Sequence, residues 1–306
     1  MIDNWEFNHL GMMVTDRDEI LSYYQSIGLG VSVGPQPLLP YIEGEGEITF
    51  FKELDGEPVS HRFVTGGAHS FKDGQSQIGN CQLEVYPMRP GPGMFISRYL
   101  ETKGDGINHI AFNTTDIERD TQFFLDRGCD LVFNVTTNGK TVENYIDTRL
   151  HGDLMISLRP PADTWEKSWR KNNESHPLVN KWKFLGLGIC VNDLESASGY
   201  YSKLGYKRTE EKKVRKECKI TSEEFYVSNV LFELIQAEKD SIYKNSLAQR
   251  GDGVAEMIFQ VSDMKTELDL LKNKGAKILK VSDDKKTAYI DSCMKGNLLT
   301  RLIEKE

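Results

Sequence analysis

Two histidines fall at one register of a repeated segment. His9 stands seven residues before Asp16 and His109 seven before Asp116, in a chain with six histidines among 306 residues. Imidazoles at matched positions of consecutive repeats are candidates to bring two neutral nitrogen donors onto one divalent transition metal. Further groups with chemistry gather in the second copy. Glu143 and Tyr145 alternate along one expected strand and so share a face, as candidates for general base or substrate orientation. Arg149 and Arg159 flank the next strand as candidate clamps for a carboxylate or phosphate. His61 and His69 lie in an insertion of the first copy, candidates for a lid over the site. In the second half the matching positions hold Gly186 and Glu256, with Glu233 and Arg301 on the closing strands. Without histidine, and with an arginine able to pair the carboxylates, that half is expected to be metal-free.

The elements that must position these groups recur four times. Each copy reads as a short apolar strand, an Asp, an amphipathic stretch and a Gly. Asp16 to Gly28, Asp116 to Gly128, Asp193 to Gly205 and Asp263 to Gly275 all span 12 residues. An Asp at a strand's end caps a helix by accepting from its first free N–H groups, and about twelve residues make roughly three turns. The Gly can then close the helix in a left-handed conformation. Inside, Ile20, Leu21 and Tyr24 mark the buried face of the first helix, and Leu268, Leu270 and Leu271 that of the fourth. Strands follow each Gly: Ile48–Phe51 and Cys81–Tyr86, then Leu131–Phe133, Val142–Ile146 and Leu154–Leu158. Val227–Ile235 closes the third copy and Leu298–Ile303 the fourth. The first copy carries an insertion between Asp55 and Gly79. The predicted fold class is α+β: four βαβββ modules paired into two cupped half-barrels, since one module cannot cover its own sheet. Residues 1–161 form the expected metal-binding domain, 162–181 a polar connector and 182–306 the degenerate domain.

Paired βαβββ modules, and the run Arg98-Tyr99-Leu100-Glu101-Thr102-Lys103-Gly104-Asp105-Gly106-Ile107-Asn108-His109-Ile110-Ala111-Phe112, resemble the vicinal oxygen chelate superfamily of glyoxalases, epimerases, extradiol dioxygenases and bleomycin-resistance proteins. The run is similar to the second-module entry of methylmalonyl-CoA epimerases. The resemblance implies further ligands on the last strand of each module. In the first copy that position is Glu84, five residues after Gly79; in the second it is Ser157, five after Gly152, where epimerases carry a carboxylate. The implied cofactor is one divalent transition metal (Fe, Mn, Co, Ni or Zn) on His9, Glu84 and His109. The implied function is Lewis-acid enolate stabilisation on a small 2-oxo or 2-hydroxy carbonyl compound, as in an epimerase, isomerase or glyoxalase-like lyase. With Ser157 in the carboxylate position, Glu143 or His61 is the expected catalytic base, and Tyr145, Ser157 and Arg159 are expected to contact substrate. The alternatives are an Fe(II) extradiol-type dioxygenase and a protein that sequesters a small molecule.

Bulk properties bound the rest. A net charge of −8 argues against general nucleic-acid or anionic-membrane binding. No apolar run approaches the roughly 20 residues of a membrane span. The five cysteines, Cys81, Cys129, Cys190, Cys218 and Cys293, are scattered and form no C-x-x-C pair. They fit reduced thiols and a cytoplasmic location. The expected partner is a small-molecule substrate, and a homodimer is permitted but not required.

Overall fold

Each of the four aspartates caps a helix. Asp16, Asp116, Asp193 and Asp263 accept at 2.9–3.0 Å from the backbone N–H three residues on. The helices they open are α1 (Arg17–Ser26), α3 (Ile117–Leu125), α4 (Leu194–Lys203) and α6 (Met264–Asn273). The glycine closing each has φ of 84–85°, in the left-handed region where a Cβ is penalised. Two further helices, α2 (Phe95–Lys103) and α5 (Lys244–Arg250), lead into the second module of each pair. Leu270 departs from the expected helix face and is 53% exposed, whereas Leu268 and Leu271 are buried.

The structure, a computed structural model, describes residues 2–37, 44–51, 58–65, 72–87, 95–161, 181–292 and 298–305. In the first domain the strands are β1 (Glu6–Val14), β2 (Val31–Pro37), β3 (Gly44–Phe50), β4 (Val59–Thr65), β5 (Lys72–Ile78), β6 (Cys81–Pro87), β7 (Gly106–Asn113), β8 (Asp130–Thr137), β9 (Lys140–Asp147) and β10 (Met155–Arg159). Their order is β2-β5-β6-β1-β7-β10-β9-β8-β3-β4. In the second domain β11 (Lys183–Cys190), β12 (Lys207–Arg215), β13 (Ile220–Val227), β14 (Val230–Ala237), β15 (Gly253–Val261), β16 (Lys277–Val281), β17 (Thr287–Asp291) and β18 (Leu299–Glu304) run β12-β13-β14-β11-β15-β18-β17-β16. Without the β3–β4 hairpin the two orders are the same. The chain is therefore a two-domain α+β fold of four βαβββ modules.

Two strand assignments change. Ile48–Phe51 does not belong to the first module's own sheet edge. It lies mostly in β3, which with β4 forms a hairpin that crosses over and pairs with β8 of the second module. The module's own strands there are β2 and β5. Likewise Val227 ends β13, and the third module's closing strand starts at Val230 after a turn with Ser228 at φ 53°.

One apolar core runs through both domains. Phe7 of β1 stacks on Phe184 of β11 at 4.6 Å, and Phe184 meets Phe259 edge-on at 5.6 Å. Polar ties flank this contact: Asn80 N–H donates to Trp182 O, and Lys103 Nζ donates to Arg250 O. Such a shared core holds the domains as one packed body. The expected connector lies almost wholly outside the described residues. Cys81, Cys129, Cys190 and Cys218 are buried and free of disulfides, and no described helix is long and apolar enough to cross a membrane.

Candidate metal centre

The central strand β1 brings the candidate ligands together. Gly11 pairs on one side with Glu84 of β6 and on the other with His109 of β7. His9 stands two residues before Gly11 with no register shift between them, which puts its ring on the same face. Gly11 is small for a reason: a Cβ there would stand 1.7 Å from His109 Cε1. The imidazole lies across the bare backbone.

His9 Nε2 is 3.3 Å from His109 Nε2 and 3.3 Å from Glu84 Oε2. Two donors about 2.1 Å from one metal at tetrahedral or octahedral angles stand roughly 3.0–3.4 Å apart. Both measured separations fit. His9 Nδ1 is 2.7 Å from Asn8 Oδ1, and His109 Nδ1 is 2.8 Å from Asn108 Oδ1. An amide oxygen only accepts, so His109 donates from Nδ1 and keeps its Nε2 lone pair. His9 Nδ1 lies between Asn8 Oδ1, which would accept from it, and Arg159 Nη1 at 3.2 Å, which would donate to it. With its proton on Nε2, His9 donates to His109 or Glu84; with its proton on Nδ1, the two Nε2 lone pairs face one another and repel unless a cation lies between them. A proton is a poor candidate. Burial, then the charge of Arg159, holds His9 well below the usual imidazole range and pushes His109 down to about 3. The donor set fits a borderline transition metal.

Tyrosines hold the remaining lone pairs. Tyr145 O–H donates to His109 Nε2 at 3.0 Å, and Tyr86 O–H donates to Glu84 Oε2. Among the described residues no group of three or more His, Cys, Asp or Glu side chains stands close enough together to hold a metal ion as placed. His9 is the hub that touches both other candidates. Burial, then Glu143, raises the Tyr145 hydroxyl well above its ordinary range, so it remains a donor.

Ser157 falls beside this group on β10, opposite Tyr145 on β9. It is fully buried and donates to Glu143 Oε1 at 2.7 Å. Arg159 Nε stands 3.0 Å from the same oxygen. The carboxylate absent from β10 is thus present one strand over, tied to the serine in its place. Glu143, Tyr145, Ser157 and Arg159 all lie in the buried layer with His9, Glu84 and His109. Other candidates fall elsewhere. His61 lies in a strand rather than a lid loop. It pairs through Ile48 and Val135 to Glu143, three strand spacings or about 14 Å across the sheet. His69 lies outside the described residues. Arg149 pairs with Asp147 at 2.8 Å, on the wall of a cavity of about 600 Å³ that also meets Tyr99 and Tyr200 and no candidate ligand. Asn8, Asn108, Gly11 and Tyr86 were not anticipated. The repeated dipeptide Asn8-His9 and Asn108-His109 was the available signal.

The second cup repeats this register with different chemistry. Gly188 pairs with Glu233 and Glu256 as Gly11 pairs with Glu84 and His109, and a bulge precedes both glycines. Arg301 of β18 takes the place of Ser157 and Tyr289 that of Tyr145. Arg301 Nη2 contacts Glu233 Oε2 and lies 3.1 Å from Glu256 Oε1. Burial, opposed in part by Arg215, pushes the Glu256 carboxyl up to about 8.

Residues 183–292 match the model of the Glyoxalase/Bleomycin resistance protein/Dioxygenase superfamily. That stretch is the domain built around Arg301, not the one with the histidines. Among solved structures, a triple mutant of 4-hydroxymandelate synthase from Streptomyces coelicolor is similar over 98% of this chain and 92% of its own, at 14% identity and a TM-score of 0.62. Methylmalonyl-CoA epimerase from Mycobacterium tuberculosis is 21% identical over 40% of this chain and 87% of its own, with a TM-score of 0.35. The first of these likenesses carries the fold along nearly the whole chain. No curated protein matches.

Proposed function

We propose that the chain belongs to the glyoxalase/bleomycin resistance protein/dioxygenase superfamily, whose model matches residues 183–292, and that its first cup is a single-metal reaction centre with His9, Glu84 and His109 as protein ligands. The observation that carries this reading is the pair of 3.3 Å separations at His9 Nε2, to His109 Nε2 and to Glu84 Oε2. A divalent ion of the Fe, Mn, Co, Ni or Zn group held there supplies Lewis acidity toward two adjacent substrate oxygens, which favours enolate formation. The substrate class is a small 2-oxo or 2-hydroxy carbonyl compound, and the reaction an epimerisation, isomerisation or glyoxalase-like lyase step. Glu143 is the proton acceptor: Ser157 and Arg159 orient it beside the ligand layer and keep its carboxylate charge compensated. Tyr145 keeps its proton and donates a hydrogen bond to developing negative charge on substrate. Arg159 balances the charge of Glu143 and of an acidic substrate. The four buried free thiols support a reducing, cytoplasmic setting.

The test is carbon–hydrogen exchange. Protein loaded with Mn2+, Co2+, Ni2+ or Zn2+ is incubated in D2O with a panel of 2-oxo and 2-hydroxy acids and ketones, and exchange beside the carbonyl is followed by NMR. Exchange that Glu143→Gln abolishes supports the reading. Metal-loaded protein that exchanges no member of the panel counts against it. A second reading, an Fe(II) dioxygenase, is favoured by the two-His, one-carboxylate set with Ser157 in place of a fourth ligand. Oxygen uptake by the Fe(II) protein with catechols or hydroquinones selects that reading.

A further inference from the structure

The second cup contains a centre whose geometry mirrors the first and whose charge is closed by the chain itself. Glu233 and Glu256 occupy the positions of Glu84 and His109, on either side of Gly188. Both carboxylates converge on one atom, Arg301 Nη2. The position matching His9 is Gly186, where any Cβ would lie 1.9 Å from Leu231 O. No imidazole can return there without moving β14. The other carboxylate oxygens have partners, while Arg301 Nε and Arg215 Nε make no hydrogen bond among the described residues. Arg215 Nη2 stands 2.5 Å from Glu233 Oε1, and Ser222 Oγ donates to the same oxygen at 2.6 Å. Tyr243 O–H donates to Glu256 Oε2 at 2.7 Å, and Arg215 Nη1 donates to Tyr289 O–H at 2.8 Å. Glu233, Glu256, Arg301, Tyr243 and Tyr289 are each no more than 4% exposed.

We propose that Arg301 is the second cup's own cation: its guanidinium takes the place of a divalent ion between Glu233 and Glu256 and bars metal from that centre. An all-oxygen pocket of two carboxylates and two phenols would otherwise suit a hard divalent cation such as Mn2+. Arg215 already pairs with Glu233, so once both carboxylates are ionised the buried pair needs one further cation, which Arg301 or a metal ion can supply. The arginine is tethered to β18 and cannot dissociate, so this half of the molecule keeps its closed charge whatever the metal supply. This closure follows from the second cup's geometry alone.

The test uses the full chain with His9→Ala and His109→Ala, which removes the first cup from the count. Mn2+ binding is measured by calorimetry at pH 8.5 under argon, where Glu256 is ionised, with melting temperature recorded in parallel. The background protein is expected to bind no Mn2+ at the second cup. Adding Arg301→Ala is expected to lower Tm by on the order of 5–10 °C, to create one Mn2+ site, and to recover most of the lost Tm on Mn2+ addition. Glu233→Gln added to that variant is expected to abolish the new site. Arg301→Lys, which keeps a tethered cation, is expected to bind no Mn2+ and guards against loss of fold. A folded Arg301→Ala protein that takes up no Mn2+ overturns the proposal, as does an Mn2+ site in the second cup with Arg301 intact.

Discussion

Gly11→Ala is the smallest change that should remove a ligand without touching one. The added Cβ would stand 1.7 Å from His109 Cε1, 2.2 Å from Nε2 and 2.3 Å from Nδ1. Ordinary contact begins at 3.4 Å, so the ring must retreat by 1.7 Å (3.4 − 1.7). Metal–nitrogen bonds tolerate about 0.2 Å, and the required movement is several times that. Loss of a supporting contact alone costs about 10–100-fold in metal affinity; displacing His109 itself should cost at least about 100-fold. The folded apo protein should lose about 1–3 kcal/mol, as overpacked cores do. Gly188→Ala is the matched control, because its Cβ would stand 2.3 Å from Glu256 Cγ in the second cup. It should cost similar stability and leave metal affinity unchanged. The assays are urea unfolding of the apo proteins and competition for Zn2+ or Co2+ against a chelator of known affinity. A Gly11→Ala protein that holds metal within about threefold of the parent, some 0.6 kcal/mol, would refute the placement of His109.

Asn108→Ala leaves His109 Nδ1 without its acceptor and should weaken metal binding about 10–100-fold at little cost in apo stability; equal losses in both would point to a packing role only. Asp116→Ala removes the cap on α3 and should cost about 1 kcal/mol in chemical denaturation, while no loss would mean that the N–H of Arg119 finds another partner. Glu256 gives a pH signature. Its carboxyl is raised from the ordinary 4.5 to about 8, so between those values the folded chain holds a proton that the unfolded chain has released. This contribution is fully present below pH 4.5 and is lost as pH rises through 8, at up to about 1.4 kcal/mol per unit. Glu256→Gln should flatten the fall between pH 5 and 8, and a variant with the parent's slope contradicts the assignment.

What the sequence disclosed follows from where side chains carry the signal. The Asp caps and closing glycines are local devices, and all four recur with one geometry. The matched histidines were visible because their register counts from those caps. The strand β5 was hidden because its buried positions are polar. Gln75, Ser76 and Gln77 are each no more than 2% exposed, and their amides are satisfied locally, Gln82 Nε2 donating to Gln75 Oε1 and Gln77 Nε2 to Gly79 O. Strand β2 was masked by Pro35 and Pro37, tolerable only because β2 is an edge strand. Strand β3 opens on Gly44-Glu45-Gly46-Glu47, a poor strand sequence, and nothing local in Ile48–Phe51 tells that its partner is β8 of the other module. The same limit applied to Ser157. Its type suggested a missing carboxylate, and only cross-strand register shows Glu143 bonded to it from β9. Arg301 was legible as a partner for carboxylates. That it meets both Glu233 and Glu256 on one nitrogen required the fold.

The central claim is that the first cup holds one metal on His9, Glu84 and His109. Elemental analysis of the purified chain beside a His9→Ala/His109→Ala double variant tests it most directly. The account predicts about one transition metal per chain in the parent after reconstitution and none in the double variant. Metal retained in the double variant, or none bound by the parent even after reconstitution, would contradict it.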